Sequence, residues 1–217
     1  MSDIREDLIA ELSTGLQPAR PPLPLALSAG LWLLLSACFV IAITHWFGPI
    51  RPTALTQLAT EPRFLLETLL GVLAISYTTV VAFRSAIPGA LTRRSALIGA
   101  GLMLLWLANY LIGLLSPALA PSMLGKRPHC VVETLLFGLP LAGLAFIMSR
   151  RLYSLRPVYT ASLFGLAAGM LPALYMQIAC MYVPLHILTM HILPGLLVAV
   201  VSALCVYIGL WLRQRLT

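Results

Sequence analysis

The sequence predicts an all-α integral membrane protein with about six transmembrane helices. Of its 217 residues, 60% are hydrophobic and only 10% are charged, whereas a soluble domain carries about 25% charged residues. Six apolar runs each approach the roughly 20 residues that cross a bilayer as a helix. The chain therefore lacks the polar surface of a water-soluble domain, and we expect most of its outward-facing side chains to contact lipid.

The six predicted spans are separated by short segments that carry helix-ending residues. The apolar runs cover residues 25–45, 64–83, 95–116, 130–149, 158–179 and 187–212. Prolines follow or precede several of these runs, because proline does not continue a helix. Thr60-Glu61-Pro62 is typical of a helix start with proline in the first turn. Residues 23–217 are therefore predicted to form one transmembrane domain.

The distribution of basic residues predicts the orientation of the spans. If the N-terminus is cytoplasmic, ten of the 14 basic residues lie on the cytoplasmic side and four on the outer side. The cytoplasmic group is Arg5, Arg20, Arg84, Arg93, Arg94, Arg150, Arg151, Arg156, Arg213 and Arg215. The outer group is Arg51, Arg63, Lys126 and Arg127. An excess of this kind in short cytoplasmic segments sets membrane orientation, so both termini are expected in the cytoplasm.

Residues 1–22 are predicted to form a cytoplasmic segment with a short amphipathic helix. The apolar residues at helical spacing are Ile4, Leu8, Ile9, Leu12 and Leu16. The acidic residues, which fall largely on the other face, are Asp3, Glu6, Asp7 and Glu11. One interpretation is a helix that rests on the inner leaflet, but such helices usually carry Lys and Arg on their polar face. An acidic amphipathic helix better fits a basic groove on a protein partner.

Two of the four cysteines are predicted to lie at the outer face of the membrane. Cys130 begins the fourth span and Cys180 ends the fifth, so the predicted topology places both on the same side. A thiol at a water-accessible helix end can be oxidised, and soft donors at the same face could instead bind copper or zinc. Cys38 and Cys205 lie well inside spans and are expected to act as small apolar residues. The candidate donors at the outer face are His129, Cys130, Cys180, Met181, His186 and His191.

Two acidic residues, Glu67 and Glu133, fall within predicted spans. Acidic residues at membrane depth usually face a cavity or a partner. Either carboxylate could orient a histidine or tune a thiol, and either could instead extend toward the outer headgroups. The sequence leaves these alternatives open.

In its six spans and in several of these residues, the chain resembles the NrsF-like membrane anti-sigma factors of proteobacteria. The resemblance is carried by the six spans and by Leu8-Ile-Ala-Glu-Leu12 followed by Leu16-Gln-Pro18-Ala-Arg20. It is also carried by Cys130 at the start of span four and by Cys180, Pro184 and His191 leading into span six. Many members have an acidic Cys-Pro-Glu-type stretch after the second cysteine. This chain has Met181-Tyr182-Val183 instead, with a histidine at position 186. Its methionines and histidines favour a soft metal such as copper as the stimulus.

The resemblance implies a regulator rather than an enzyme, located in the bacterial inner membrane. Such a protein would hold an extracytoplasmic-function sigma factor inactive, contact the lipid bilayer and make no direct contact with nucleic acid. Cys130 and Cys180 would sense oxidants or heavy metals, with His129, Glu133, Met181, His186 and His191 as residues that bind metal or tune the thiols. The sigma factor would bind Ile4, Glu6, Leu8, Ile9, Glu11, Leu12 and Leu16.

Two other functions are compatible with the sequence. A membrane oxidoreductase that passes electrons from thiols to quinone would also place cysteines at one face, but it usually needs a close pair such as CxxC, which the sequence lacks. A small metal-handling transporter is the second alternative, although few charged residues lie inside the spans. Whether the two cysteines form a disulfide is left open by the sequence.

Overall fold

The chain folds into a bundle of helices, seen in a computed structural model that describes residues 2–14 and 23–216. Within these residues there are eight helices and no strand. The helices are α1 (Ser2–Thr14), α2 (Leu25–Phe47), α3 (Ala54–Thr60), α4 (Pro62–Ser85), α5 (Arg93–Gly113), α6 (Cys130–Ser149), α7 (Pro157–Ala179) and α8 (Pro184–Leu216). All except α1 and α3 are long and apolar enough to cross a membrane. The prediction of an all-α membrane bundle with six spans is confirmed.

Helix α7 is the central helix, and it packs against α2, α4, α6 and α8. Its crossing with α8 is very close, because a Cβ added at Gly169 would overlap the carbonyl oxygen of Gly195. Small residues at such crossings let two backbones touch, and the resulting van der Waals contact stabilises membrane helices. Nearer the start of α7, the ring of Phe164 packs edge-on against Phe83 of α4 with their centroids 5.0 Å apart. Helix α7 is thus held from several sides.

The bundle has two ends of different character. At one end, which we call the cysteine end, α2, α5 and α7 finish and α4, α6 and α8 begin. The short helix α3 lies in the α2–α4 connection, where the sequence pattern did not indicate a helix. The third span ends at Gly113 rather than at 116, and the sixth begins at Pro184 rather than at 187. The earlier start of α8 is reasonable, because proline is well suited to the first position of a helix.

Helix α1 confirms that the acidic N-terminal segment forms a helix. Residues 4–14 are exposed, and the exposed fractions of Leu8 and Leu12 are 53% and 64%. Leu16, which the sequence grouped with them, lies outside the described residues. The apolar side of α1 is therefore uncovered in this structure and open to a partner.

Candidate functional site

Two cysteines from different helices lie side by side at the cysteine end. Cys130 is the first residue of α6, and Cys180 directly follows the last residue of α7. Their Sγ atoms are 3.5 Å apart, and their exposed fractions are 4% and 0%. The other two cysteines, Cys38 and Cys205, are exposed on the outer surfaces of α2 and α8. The structure thus brings together the two cysteines for which the sequence predicted a common face.

Two histidines at the start of α8 complete this group through an irregular turn. In a regular α-helix, residues five apart point about 140° away from each other. In α8, however, Leu188–Ile192 form a π-helical turn, in which each hydrogen bond spans five residues. His186 and His191 consequently lie on the same side of the helix, with ring centroids 5.0 Å apart. Nε2 of His186 is 3.6 Å from Sγ of Cys180.

These four side chains form a compact set of metal-binding donors. One donor atom from each of Cys130, Cys180, His186 and His191 lies within 4.8 Å of all the others. In a tetrahedral site with metal–sulfur bonds of about 2.3 Å, two thiolate sulfurs are about 3.8 Å apart, which is close to the observed separation. His191 is completely buried, yet neither ring nitrogen forms a regular hydrogen bond with any described residue. The donor set fits a tetrahedral zinc or copper(I) ion.

A cavity connects this donor set with the outside of the bundle. Its volume is about 390 Å³, and Cys130, Met181 and His186 are among its lining residues. His186 is half-buried and lies between the cavity and the fully buried Cys180. His129 also lines the cavity, but it is exposed and does not belong to the group of four donors. A small solute in the cavity can therefore approach Cys130 and His186.

Charged and polar neighbours favour a thiolate at Cys180. The hydrogen bond with the Cys130 thiol lowers the pKa of Cys180, and His186 and His191 lower it further, although burial acts in the opposite direction. Arg51 is also nearby, and its backbone N–H donates to the carbonyl of Ala179 over 2.8 Å. A thiolate is the form of cysteine that reacts with oxidants and binds metals. The local electrostatics therefore suit both kinds of chemistry.

Arg51 itself is an unusual feature of this end of the bundle. Its side chain is 2% exposed, and its guanidinium lies over the rings of Phe64 and Tyr182 at 5.4 Å and 5.9 Å from their centroids. Burial lowers the pKa of Arg51, whereas the nearby Cys180 and Tyr182 raise it. An arginine remains protonated even so. Arg51 therefore places a positive charge beneath the segment that carries Cys180.

Glu133 forms a buried ion pair with an arginine of the preceding loop. Its Oε2 accepts a hydrogen bond of 2.8 Å from Nε of Arg127, and the two side chains are 5% and 4% exposed. The sequence-based alternative in which Glu133 extends toward the headgroups is therefore wrong, because the carboxylate pairs with Arg127 inside the protein. Glu133 also lies outside the set of four donors.

Glu67 is likewise buried, and it anchors the chain on both sides of the cysteine. Its carboxylate accepts hydrogen bonds from Asn109 over 2.8 Å, from Gln177 over 2.9 Å and from Tyr182 over 3.2 Å. The hydroxyl of Tyr110 donates to the side-chain oxygen of the same Gln177. Of the alternatives that the sequence left open for Glu67, contact with a histidine and extension to the headgroups are therefore both wrong for the described residues. Through Gln177 and Tyr182, Glu67 holds residues that flank Cys180.

The sequence missed the two buried arginines and the network around Glu67. It assigned Arg51 and Arg127 to outer loops as markers of orientation, since a buried arginine and a solvated one look the same in sequence. The π turn was missed as well. Its available signal was Pro194, which has no N–H to donate to the carbonyl of Met190 and so disfavours a regular helix just before it.

Comparison with known proteins supplies a family assignment. The family model NrsF, described as negative regulator of sigma F, matches residues 12–212. This range contains all six long helices almost completely, together with the four donor residues, but only the end of α1. Comparisons with curated proteins and with solved structures gave no match.

Proposed function

The chain belongs to the NrsF family of negative regulators of sigma F, and from this premise we propose that it is a membrane-bound anti-sigma factor with a thiol sensor. In the resting state it holds an extracytoplasmic-function sigma factor at the bacterial inner membrane. It releases the sigma factor when Cys130 and Cys180 are oxidised or bind a soft metal ion. The observation that carries this proposal is the 3.5 Å separation of the two sulfurs, beside two histidines and an open cavity.

Oxidation of the pair would give a disulfide. An S–S bond is about 2.05 Å long, so each sulfur needs to move by less than about 1 Å from its present position. The two thiols lose two protons and two electrons in this reaction, and an oxidant such as a peroxide accepts the electrons. The lowered pKa of Cys180 supports its role as the attacking thiolate.

Metal binding would use the same two sulfurs with His186 and His191. Two thiolates and two neutral imidazoles make a closed tetrahedral site that is typical of structural zinc and also suits copper(I). The ion displaces the thiol protons when it binds. Met181 and His129, at the cavity, would contact the ion during its approach rather than in the final site.

The orientation in the membrane follows from the basic residues. With the arginine-rich turns in the cytoplasm, the cysteine end faces the periplasm and both termini are cytoplasmic. Residues 23–217 then form the sensor domain, and residues 1–22 form the segment that meets the sigma factor. Stimuli from the envelope would reach the thiols without crossing the membrane.

Helix α1 is the proposed contact with the sigma factor. Its apolar residues are exposed, and its acidic residues Glu6 and Glu11 complement a basic surface. A nucleic-acid-binding protein such as a sigma factor has such a surface. Binding of α1 there would cover the apolar side chains and compete with DNA, so the regulator itself needs no direct contact with nucleic acid.

The energy required for such a switch is small. A shift from 1:99 to 99:1 between the bound and released states needs about 5.5 kcal/mol. Formation of one disulfide, or binding of one metal ion well above its dissociation constant, supplies energy on this scale.

The test is co-purification of the sigma factor with the full chain from membranes, before and after treatment with diamide or a zinc salt. We expect a complex that dissociates on treatment. The double substitution Leu8→Asp/Leu12→Asp should abolish the complex, whereas Ala10→Asp, on the opposite side of α1, should preserve it. A complex that survives the double substitution would remove α1 from the interface, and the absence of any sigma factor would contradict the proposal.

A further inference from the structure

Arg127 is a buried arginine that joins the start of α6 to the end of α2. Its Nε donates to Glu133 in α6 over 2.8 Å, its Nη1 donates to the carbonyl of Pro49 over 3.0 Å, and its Nη2 donates to the carbonyl of Thr44 over 3.1 Å. The guanidinium is planar and its N–H groups point in fixed directions. Three simultaneous hydrogen bonds therefore fix the distance between these two helix ends.

The carbonyl of Thr44 is free to accept this hydrogen bond because α2 ends at Phe47. The last four carbonyls of a helix have no donor within the helix, and a positive charge there also complements the helix dipole. Helix α2 is less buried than α7, since 28% of its most apolar stretch is buried, compared with 67% for α7. Arg127 is thus one of the few contacts at the end of α2, together with the hydrogen bond between His45 and Tyr175.

The same residue contacts the cysteine pair through its backbone. The sulfur of Cys130 lies 3.3 Å from the carbonyl oxygen of Arg127 and 3.5 Å from Sγ of Cys180, and its single proton is donated to one of the two at a time. Formation of a disulfide and binding of a metal ion both remove the proton from this thiol, and both draw its sulfur toward Cys180. Either event therefore breaks the contact between Cys130 and Arg127.

We propose that Arg127 is the positioning residue that transmits the state of the cysteine pair to α2, an inference that rests on the proposed function. Loss of the Cys130 contact frees the backbone of Arg127, and its guanidinium then no longer holds the end of α2 in place. At its other end, α2 leads along the chain to α1. A shift of α2 therefore changes the position of the helix that binds the sigma factor.

The first measurement needs no sigma factor. Hydrogen–deuterium exchange is followed at residues 44–50 in the full chain in lipid nanodiscs, reduced or treated with diamide. We expect exchange to rise at least about tenfold on oxidation, the scale of a lost hydrogen bond to a charged group. Arg127→Gln should show this faster exchange already when reduced, with no further response to diamide.

The second measurement separates a transmitting role from a merely structural one. In the complex with the sigma factor, Arg127→Gln should still form the Cys130–Cys180 disulfide, as determined by mass spectrometry, but sigma release should no longer depend on it. Because Arg127→Gln leaves Glu133 buried without its partner, Arg127→Gln/Glu133→Gln provides a neutral second variant with the same expectation. Arg63→Gln is the matched control, since Arg63 also donates to a loop carbonyl at this end, that of Ser116, but does not contact the cysteines.

The outcomes distinguish this inference from the function on which it rests. If diamide does not change hydrogen–deuterium exchange at residues 44–50 of the unmodified chain, the role of Arg127 is overturned, even if the sigma factor is released. The role of Arg127 is also overturned if diamide releases the sigma factor from both Arg127 variants to the same extent as from the Arg63→Gln control. A diamide-dependent change in exchange without any release of sigma factor supports transmission to α2 and contradicts the proposed function instead.

Discussion

The two ends of the bundle contain the same type of residue in opposite environments. At the cysteine end, Arg51 and Arg127 are 2% and 5% exposed and are surrounded by aromatic rings, carbonyls and a carboxylate. At the opposite end, Arg93, Arg150 and Arg156 are exposed. Buried charges fix the positions of their neighbours, whereas exposed charges mainly determine orientation and interactions with partners. Arginine thus builds a rigid chemical site at one end and a solvated charged surface at the other.

The largest expected effect comes from removing either sulfur. Cys130→Ser or Cys180→Ser should abolish the response to diamide and to zinc, because one remaining sulfur cannot form the disulfide and three donors do not close a tetrahedral site. A sigma-dependent reporter in living cells measures this response. Cys205→Ser, on the outer surface of α8, is the control and should respond normally. A normal response in Cys130→Ser would exclude the cysteine end as the sensor.

The next largest effect is on the free energy of unfolding, when a buried charged residue is removed rather than an exposed one. Glu133→Ala should lower the free energy of unfolding by about 3–5 kcal/mol, because Arg127 is left buried without its counter-charge. Arg150→Ala, at the opposite end, should change it by no more than about 0.5 kcal/mol. Denaturant unfolding in mixed micelles measures both values. Similar losses for the two variants would show that the two ends do not differ in the way described above.

Removal of one imidazole tests the donor set. His191→Ala should weaken zinc binding at least about 100-fold. Loss of a residue that only hydrogen-bonds a metal ligand already lowers metal affinity by up to about 100-fold, and His191 would be a ligand itself. Competition with a chromophoric chelator measures the affinity. His45→Ala is the matched control, because His45 lies at the same end but hydrogen-bonds Tyr175 over 3.1 Å. Equal affinity in both variants would remove His191 from the metal site.

The smallest effect concerns the hydrogen bonds that hold the segment after Cys180. Tyr182→Phe removes the hydroxyl that donates to Glu67 and accepts from the backbone N–H of Ala118 over 3.2 Å. We expect a loss of about 1–2 kcal/mol in the free energy of unfolding. Tyr207→Phe, at an exposed position of α8, should have no measurable effect. If the two variants unfold alike, the network around Glu67 contributes little to stability.

The sequence predicted the six spans and the placement of Cys130 and Cys180 at the same face, because apolar length and the alternation of span direction are encoded locally. It named His191 among the candidate donors of this face, but it could not indicate that His191 reaches the thiols while His129 does not, since this depends on a π turn that changes the side to which His191 points. It could not distinguish the buried Arg127 from an exposed loop arginine, because burial is decided by the fold of the loop before α6. Long-range packing therefore determines the chemistry of the site, while local pattern determines its location.

The backbone contact between Gly169 and Gly195 has a consequence for how the thiols can close. A Cβ added at Gly138 of α6 would lie only 3.2 Å from Cα of Gly169, so α6 packs onto the same crossing of α7 and α8. The three helices that position the four donors are therefore held together at one level of the bundle. Closing the gap between the sulfurs consequently needs only a local adjustment of the helix ends and no rearrangement of the bundle.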